Sequence, residues 1–232
     1  MKKFWGFYSN GKYSVGCNGA TVYIYDCNGV ELARFKDFPY AYKAAFLPNS
    51  NIIAVKSTEG YLGFYDLDAL KLVKKVVVTR IGAQDGGFAF SPDGAYFYNI
   101  EAPTDSTRSQ LGIYETSSFT KTDTLFAENA EMVLMHVEFD AATGICYLLG
   151  FMRGDDGVIA YGFTAIFDPK DRDIRDIHSI EEKCFDDLCD YKSWELSGFT
   201  AKALEWNYVL KDLSQIPKTS IKEVHEGLPS AD

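Results

Sequence analysis

Cysteine is scarce in this chain and odd in number: Cys17, Cys27, Cys146, Cys184 and Cys189. The loose spacing fits neither a disulfide framework nor a zinc pattern, so reduced thiols are expected. Cys17 and Cys27 are the one pair that a hairpin would bring face to face. Basic residues are also short, 23 Lys and Arg against 33 Asp and Glu, a formal charge of -10. Such a surface repels phosphate backbones and anionic lipid, which argues against nucleic acid and membrane as partners. The nearest thing to a basic patch is Lys71, Lys74, Lys75 and Arg80. No apolar run has the length of a bilayer span. The opening MKKFWGFYSNGKY holds too few apolar residues for a signal peptide, and no Asn-x-Ser/Thr acceptor occurs. A cytoplasmic location is therefore expected. Nucleophile elbow, phosphate loop, zincin motif and dinucleotide fingerprint are all missing, and no cofactor is expected.

What the chain has is aromatic strand-forming sequence, repeated. Of 232 residues, 47 % are apolar and 15 % aromatic, enough for a large core and weighted towards strands. An aromatic residue, a cluster of turn formers and an apolar strand recur together. The copies are Phe7-Tyr8-Ser9-Asn10-Gly11, Phe46-Leu47-Pro48-Asn49, Phe90-Ser91-Pro92-Asp93-Gly94 and Phe139-Asp140-Ala141-Ala142-Thr143-Gly144. They are 39, 44 and 49 residues apart. Four strands of about 5 residues with their turns need about 40 residues. Each copy is thus expected to open a four-stranded antiparallel sheet, with the turn formers between its first two strands.

The later part of each unit recurs as well. An aromatic followed by an acid stands at Tyr25-Asp26, Tyr65-Asp66, Tyr114-Glu115 and Phe167-Asp168. Each pair is expected to end a third strand, with the carboxylate accepting backbone N–H groups of the next turn. Repeat units are set at about residues 4–38, 39–80, 81–130 and 131–180 of a single domain, with an irregular unit over 181–232. That last unit reads two ways. As a fifth sheet, it has strands at Trp194–Phe199, Leu204–Leu210 and Ser220–Val224, with a turn at Lys211-Asp212. As helix, it has good formers over Ile180–Tyr191 and Ala201–Lys211.

Phe90-Ser91-Pro92-Asp93-Gly94, its echo at Phe46-Leu47-Pro48-Asn49 and the Tyr-Asp endings carry a resemblance over roughly residues 4 to 178. The chain resembles the WD40-like and YVTN-like β-propellers. It departs from the WD40 pattern: no unit ends in Trp-Asp, and no Gly-His pair precedes a unit. The resemblance implies an all-β propeller of four-stranded antiparallel blades. At about 46 residues per blade the length allows five. A ring needs closing to protect its edge strands. The aromatic stretch Lys3–Tyr8 is placed to pair with strands of the C-terminal unit. A β-sandwich is the runner-up fold.

Candidate site residues are Lys43, Arg80, Gln84, Asp85, His136 and Glu138. Strand alternation sets Met135, Val137 and Phe139 on one face and His136 and Glu138 on the other. A His beside a Glu suits a general base with its orienting partner, or a hydrogen-bonded pair between packed sheets. His136 falls at the same offset from its marker as Lys43 and Gly87. Arg80, Gln84 and Asp85 precede the first strand of the third unit, near the expected channel mouth, with Lys43 and Asp37 in the matching segment of the second. Three further stretches read as structure. Asp171, Asp173 and Asp176 lack the glycine and distal Glu of a calcium loop, and Arg172 and Arg175 lie among them. Arg153, Asp155 and Asp156 form a hairpin tip. Ala102–Gln110 is a polar insertion.

The function expected is a non-enzymatic protein-interaction scaffold, with Tyr40, Tyr42 and Tyr161 as exposed aromatics for a neutral or basic protein partner. The alternative is a small-molecule-binding protein, or a hydrolase or lyase, with polar groups from several blades meeting at the axis.

Overall fold

A computed structural model describes residues 2–79, 86–102, 109–181, 185, 194–203 and 208–210. Contacts divide the chain into two units. Unit 1 comprises Met1–Val78 and Glu205–Asp232, and unit 2 comprises Thr79–Leu204.

In unit 1, β1 (Lys2–Phe4) is followed by a sheet of β2 (Gly6–Ser9), β3 (Tyr13–Cys17), β4 (Val22–Asp26) and β5 (Glu31–Phe35). The next sheet holds β6 (Ala41–Phe46), β7 (Ile52–Ser57), β8 (Tyr61–Asp66) and β9 (Lys71–Val77). Unit 2 contains β10 (Phe88–Phe90), β11 (Tyr96–Glu101), β12 (Gln110–Glu115) and β13 (Thr120–Leu125). Its second sheet is β14 (Met132–Phe139), β15 (Cys146–Arg153), β16 (Ile159–Asp168) and β17 (Asp173–Ile180). All four sheets are antiparallel meanders whose spatial order follows chain order.

The sequence markers sit where turn chemistry needs them. Each turn between first and second strands contains a left-handed residue: Gly11, Asn49, Gly94 or Gly144. Glycine meets no steric cost there, and Asn tolerates the conformation better than most. The turns between third and fourth strands recur too. Asp26, Asp66 and Asp168 each accept two backbone N–H bonds from the residues that follow. In the sheet with Glu115, Thr116 ties the corner instead, its hydroxyl donating to the Gly94 carbonyl at 2.5 Å. A register shift between third and fourth strands appears in every sheet, at Ile24/Tyr25, Phe64/Tyr65, Ile113/Tyr114 and Thr164/Ile166. This shared bulge is a second sign, independent of the turns, that the four sheets are copies of one unit.

The aromatic before each acid is the anchor of its sheet. Tyr25, Tyr65, Tyr114 and Phe167 are all buried. In unit 1, Val15, Ile24, Ile53, Val55 and Tyr65 fill one core between the two sheets. In unit 2, Tyr98, Ile113, Val137, Leu148 and Phe167 do the same. No residue of the fourth strands is fully buried, as an outermost strand should be.

The C-terminal residues correct one expectation. Ala201–Lys211 does not read as helix where it is described. β18 (Trp194–Ser197) and β19 (Thr200–Ala203) form a hairpin in register Trp194↔Ala203. β20 (Tyr208–Leu210) pairs with β1, Phe4 opposite Tyr208. The N-terminal stretch thus splits in two, and its first strand does pair near the C-terminus. Of the helical stretch expected over Ile180–Tyr191, Ile180 ends β17, and Phe185 alone is described in helical form. Lys211-Asp212 and Ser220–Val224 lie outside the described residues. Cys17, Cys27 and Cys146 are free thiols, so the hairpin bridge is not formed. No helix among the described residues is long and apolar enough to cross a membrane.

Candidate functional site

Of the six residues expected to form a site, three are described. Arg80, Gln84 and Asp85 lie outside the described residues, as do residues 103–108 of the polar insertion. Lys43 lies on β6 in unit 1, directly opposite Lys56 of β7. His136 and Glu138 lie on β14 in unit 2 and hydrogen-bond to each other, Nε2 to Oε2, at 3.1 Å. His136 is buried and its ring lies against Gly87, where a Cβ would come within 2.3 Å of Nδ1. Glu138 accepts the Leu196 N–H at 2.8 Å, which fastens the β18–β19 hairpin to the sheet. Trp194 of that hairpin packs by the His136 ring, with centroids 6.1 Å apart. The geometry is that of a structural tie between packed elements.

Alternation along β14 fails at one point. A bulge between Leu134 and His136 inserts Met135 as an extra residue. Met135 therefore packs with Leu149, Trp194 and Leu196, whereas Val137 joins the core between sheets. The expected common face of Met135 and Val137 is lost, because one added residue reverses every side chain beyond it. The same bulge recurs at Ala41/Lys43 in β6. Tyr42, the extra residue there, is only 4 % exposed, contrary to its expected role as a surface aromatic. Tyr40 and Tyr161 are exposed as expected.

The acids from Asp168 to Asp176 form a turn, Asp168 to Asp171, leading into the exposed strand β17, which holds Asp173 and Asp176. Arg175 bonds both Asp168 and Asp171. Gly154–Val158 closes the hairpin tip by backbone bonds, with Asp156 accepting the Val158 N–H. No cluster of three His, Cys, Asp or Glu placed to hold a metal occurs among the described residues.

Sequence reasoning missed a cleft in unit 2. It has a volume of about 680 Å³ and lies between the β10–β13 and β14–β17 sheets. One wall is the Ser91–Asp93 turn with Tyr96, Glu115 and Asp123, and the other is Phe139, Gly144, Lys170 and Arg172. Tyr96 is 43 % exposed, and Tyr98 beneath it is buried. Burial raises the Tyr98 hydroxyl to about 12, so it stays protonated. Asp93 accepts the Ser91 hydroxyl at 2.6 Å and the Ala95 N–H at 2.9 Å, which hold its carboxyl below the usual range. Arg172, in left-handed backbone conformation, reaches across to pair with Asp123.

The equivalent place in unit 1 is occupied by the chain's own side chains. Asp68 accepts Lys12 Nζ at 2.6 Å, the Tyr13 hydroxyl at 2.9 Å and Asn51 Nδ2 at 2.9 Å. Lys12 also sits over the Tyr13 ring, 5.0 Å from its centroid. By repeat position, Lys12, Tyr13, Asn51 and Asp68 correspond to Ala95, Tyr96, Gly144 and Lys170. The aromatic is kept, while the lysine and asparagine become small and the acid becomes a base.

Asp68 gives this tie a pH signature. Its bond to Lys12 foremost, then those to Asn51 and Tyr13, lowers its carboxyl to about 2. The unfolded value is about 3.9, so the tie's contribution is complete above that pH and lost as pH falls through 2. A carbon-13 carboxyl titration should find the Asp68 midpoint near 2. In Lys12→Met it should rise towards the ordinary value, and an unchanged midpoint would refute the pairing.

Among known proteins, no family model matches the chain, and no curated protein matches it.

Proposed function

We propose that the chain is a small β-propeller that works as a non-enzymatic protein-interaction scaffold, with the unit 2 cleft as its docking site. Four copies of one bulged meander, and the pairing of β1 with β20, support the propeller reading. One observation carries the function. The repeat makes the same inter-sheet position twice, and unit 1 fills it with Lys12, Asn51 and Asp68, whereas unit 2 leaves a cleft around an exposed tyrosine. Two of its carboxylates already have partners within the cleft, Asp93 in Ser91 and Asp123 in Arg172. That suits recognition by shape and charge better than proton transfer. The His136–Glu138 pair is likewise committed to holding β18.

A random peptide library displayed on phage and panned against the purified protein tests this. The wild type should enrich a peptide class that Tyr96→Ala binds about 3-fold or more weakly, the loss of one exposed ring contact. Enrichment of nothing, or of peptides indifferent to Tyr96→Ala, removes the cleft as a docking site.

A further inference from the structure

We propose that the unit 2 cleft takes a cationic side chain, a lysine or arginine of a partner peptide, seated on Tyr96 beside Glu115 and Asp93; this rests on the docking reading above. The repeat itself supplies the precedent. In unit 1 the corresponding tyrosine, Tyr13, already carries a cation, Lys12, on its ring. In unit 2 the residue that would supply that cation is Ala95, exposed and too short to do so. The ring is thus present, and among the described residues no cation lies over it.

The charges on the Tyr96 wall match such a guest. Glu115 is the direct cross-strand partner of Tyr96. Asp93 lies three residues before it and is held in place by Ser91 and the Ala95 N–H. A cation over an aromatic face with carboxylates beside it gains from both the ring quadrupole and the ion pairs. The cleft already accommodates one guanidinium, that of Arg172 on Asp123. That internal pair removes the positive charge of Arg172 from the reckoning. Lys170 remains, exposed on the opposite wall where unit 1 has Asp68. It opposes a cation, which makes it a useful handle. The overall charge of -10 draws a basic peptide towards the protein from a distance.

The test is an NMR titration of the full-length protein with acetylated, amidated tri-arginine. Amide shifts should concentrate at Asp93–Tyr96 and Glu115. Ala95→Lys supplies the missing intramolecular cation and should abolish binding there, while Ala95→Gln, of similar length and no charge, should keep it. Lys170→Asp restores the unit 1 acid and should tighten binding about 3-fold. Tyr96→Ala should weaken it about 3-fold. These positions are exposed, so the variants should melt as the wild type does. Shifts spread over the acidic surface, or indifference to both Ala95→Lys and Lys170→Asp, would overturn the inference. The two readings fail separately. Tyr96-dependent phage peptides that are neutral or acidic leave docking intact and refute the cation; an absence of any Tyr96-dependent peptide removes docking itself.

Discussion

Glu101→Ala is expected to cost about 3–5 kcal/mol, the range for removing one partner of a buried charged pair. Glu101 ends β11 and is 1 % exposed. Its carboxylate accepts the Tyr114 hydroxyl at 2.6 Å, Asn99 Nδ2 at 3.2 Å, Gln110 Nε2 at 3.1 Å and Lys121 Nζ at 2.5 Å. Four donors converge on one acid between neighbouring strands. The acid packs over Gly112, where a Cβ would come within 2.3 Å of Oε1, so a side chain there would displace it. Alanine leaves the Tyr114 hydroxyl and the Asn99 amide in a buried space without their acceptor. A buried donor that loses its acceptor forfeits its full desolvation cost. Glu101→Gln keeps one acceptor oxygen and should lose less, about 1–2 kcal/mol. Urea unfolding of the three proteins decides it. A Glu101→Ala midpoint close to wild type would mean that the network is not holding the sheet.

Phe167→Ala is expected to cost about 3–5 kcal/mol, the usual range for emptying a buried phenylalanine site. Phe167 is the fourth copy of the aromatic anchor and is 1 % exposed. Its ring meets Tyr98 and Phe126 edge-on, with centroids 5.9 and 6.1 Å apart. Both contacts come from the facing side of the unit 2 core, so alanine opens a cavity between sheets rather than at an edge. Phe167→Leu retains most of the volume and should cost about 1 kcal/mol. If the four anchors are equivalent, Tyr25→Ala should fall in the same range. A Phe167→Ala loss near that of the leucine variant would show that the site collapses and that the anchor is dispensable.

Much of the architecture is legible in the sequence, and the reason is local. Ser91-Pro92-Asp93-Gly94 can be read as a turn because Gly94 supplies the left-handed residue and Asp93 a short side chain that accepts the Ala95 N–H. Tyr65-Asp66 marks a strand end because the carboxylate of Asp66 can reach only the N–H groups just beyond it. Spacing then gives four strands per marker. Where local preference and packing conflict, the sequence leaves strand and helix both open. Ala201 to Ala203 are good helix formers, yet they pair with Trp194 to Leu196, whose burial against Leu149 outweighs propensity.

Residue identity and spacing set the turns, the strand ends, the four-stranded unit and the acidic, aromatic character of the chain. Those features depend on neighbours a few residues apart, and the chain carries that information directly. Tertiary structure alone settled which face each residue takes past a bulge. The insertions at Tyr42 and Met135 have no residue signature, because a bulge answers to the pairing strand. It also settled the cleft. Lys12 and Asp68 are 56 residues apart, and their meeting depends on how two sheets stack. Only that stacking brings Tyr96, Gly144 and Lys170 together at the matching place in unit 2, with Tyr96 open where Lys12 lies over Tyr13.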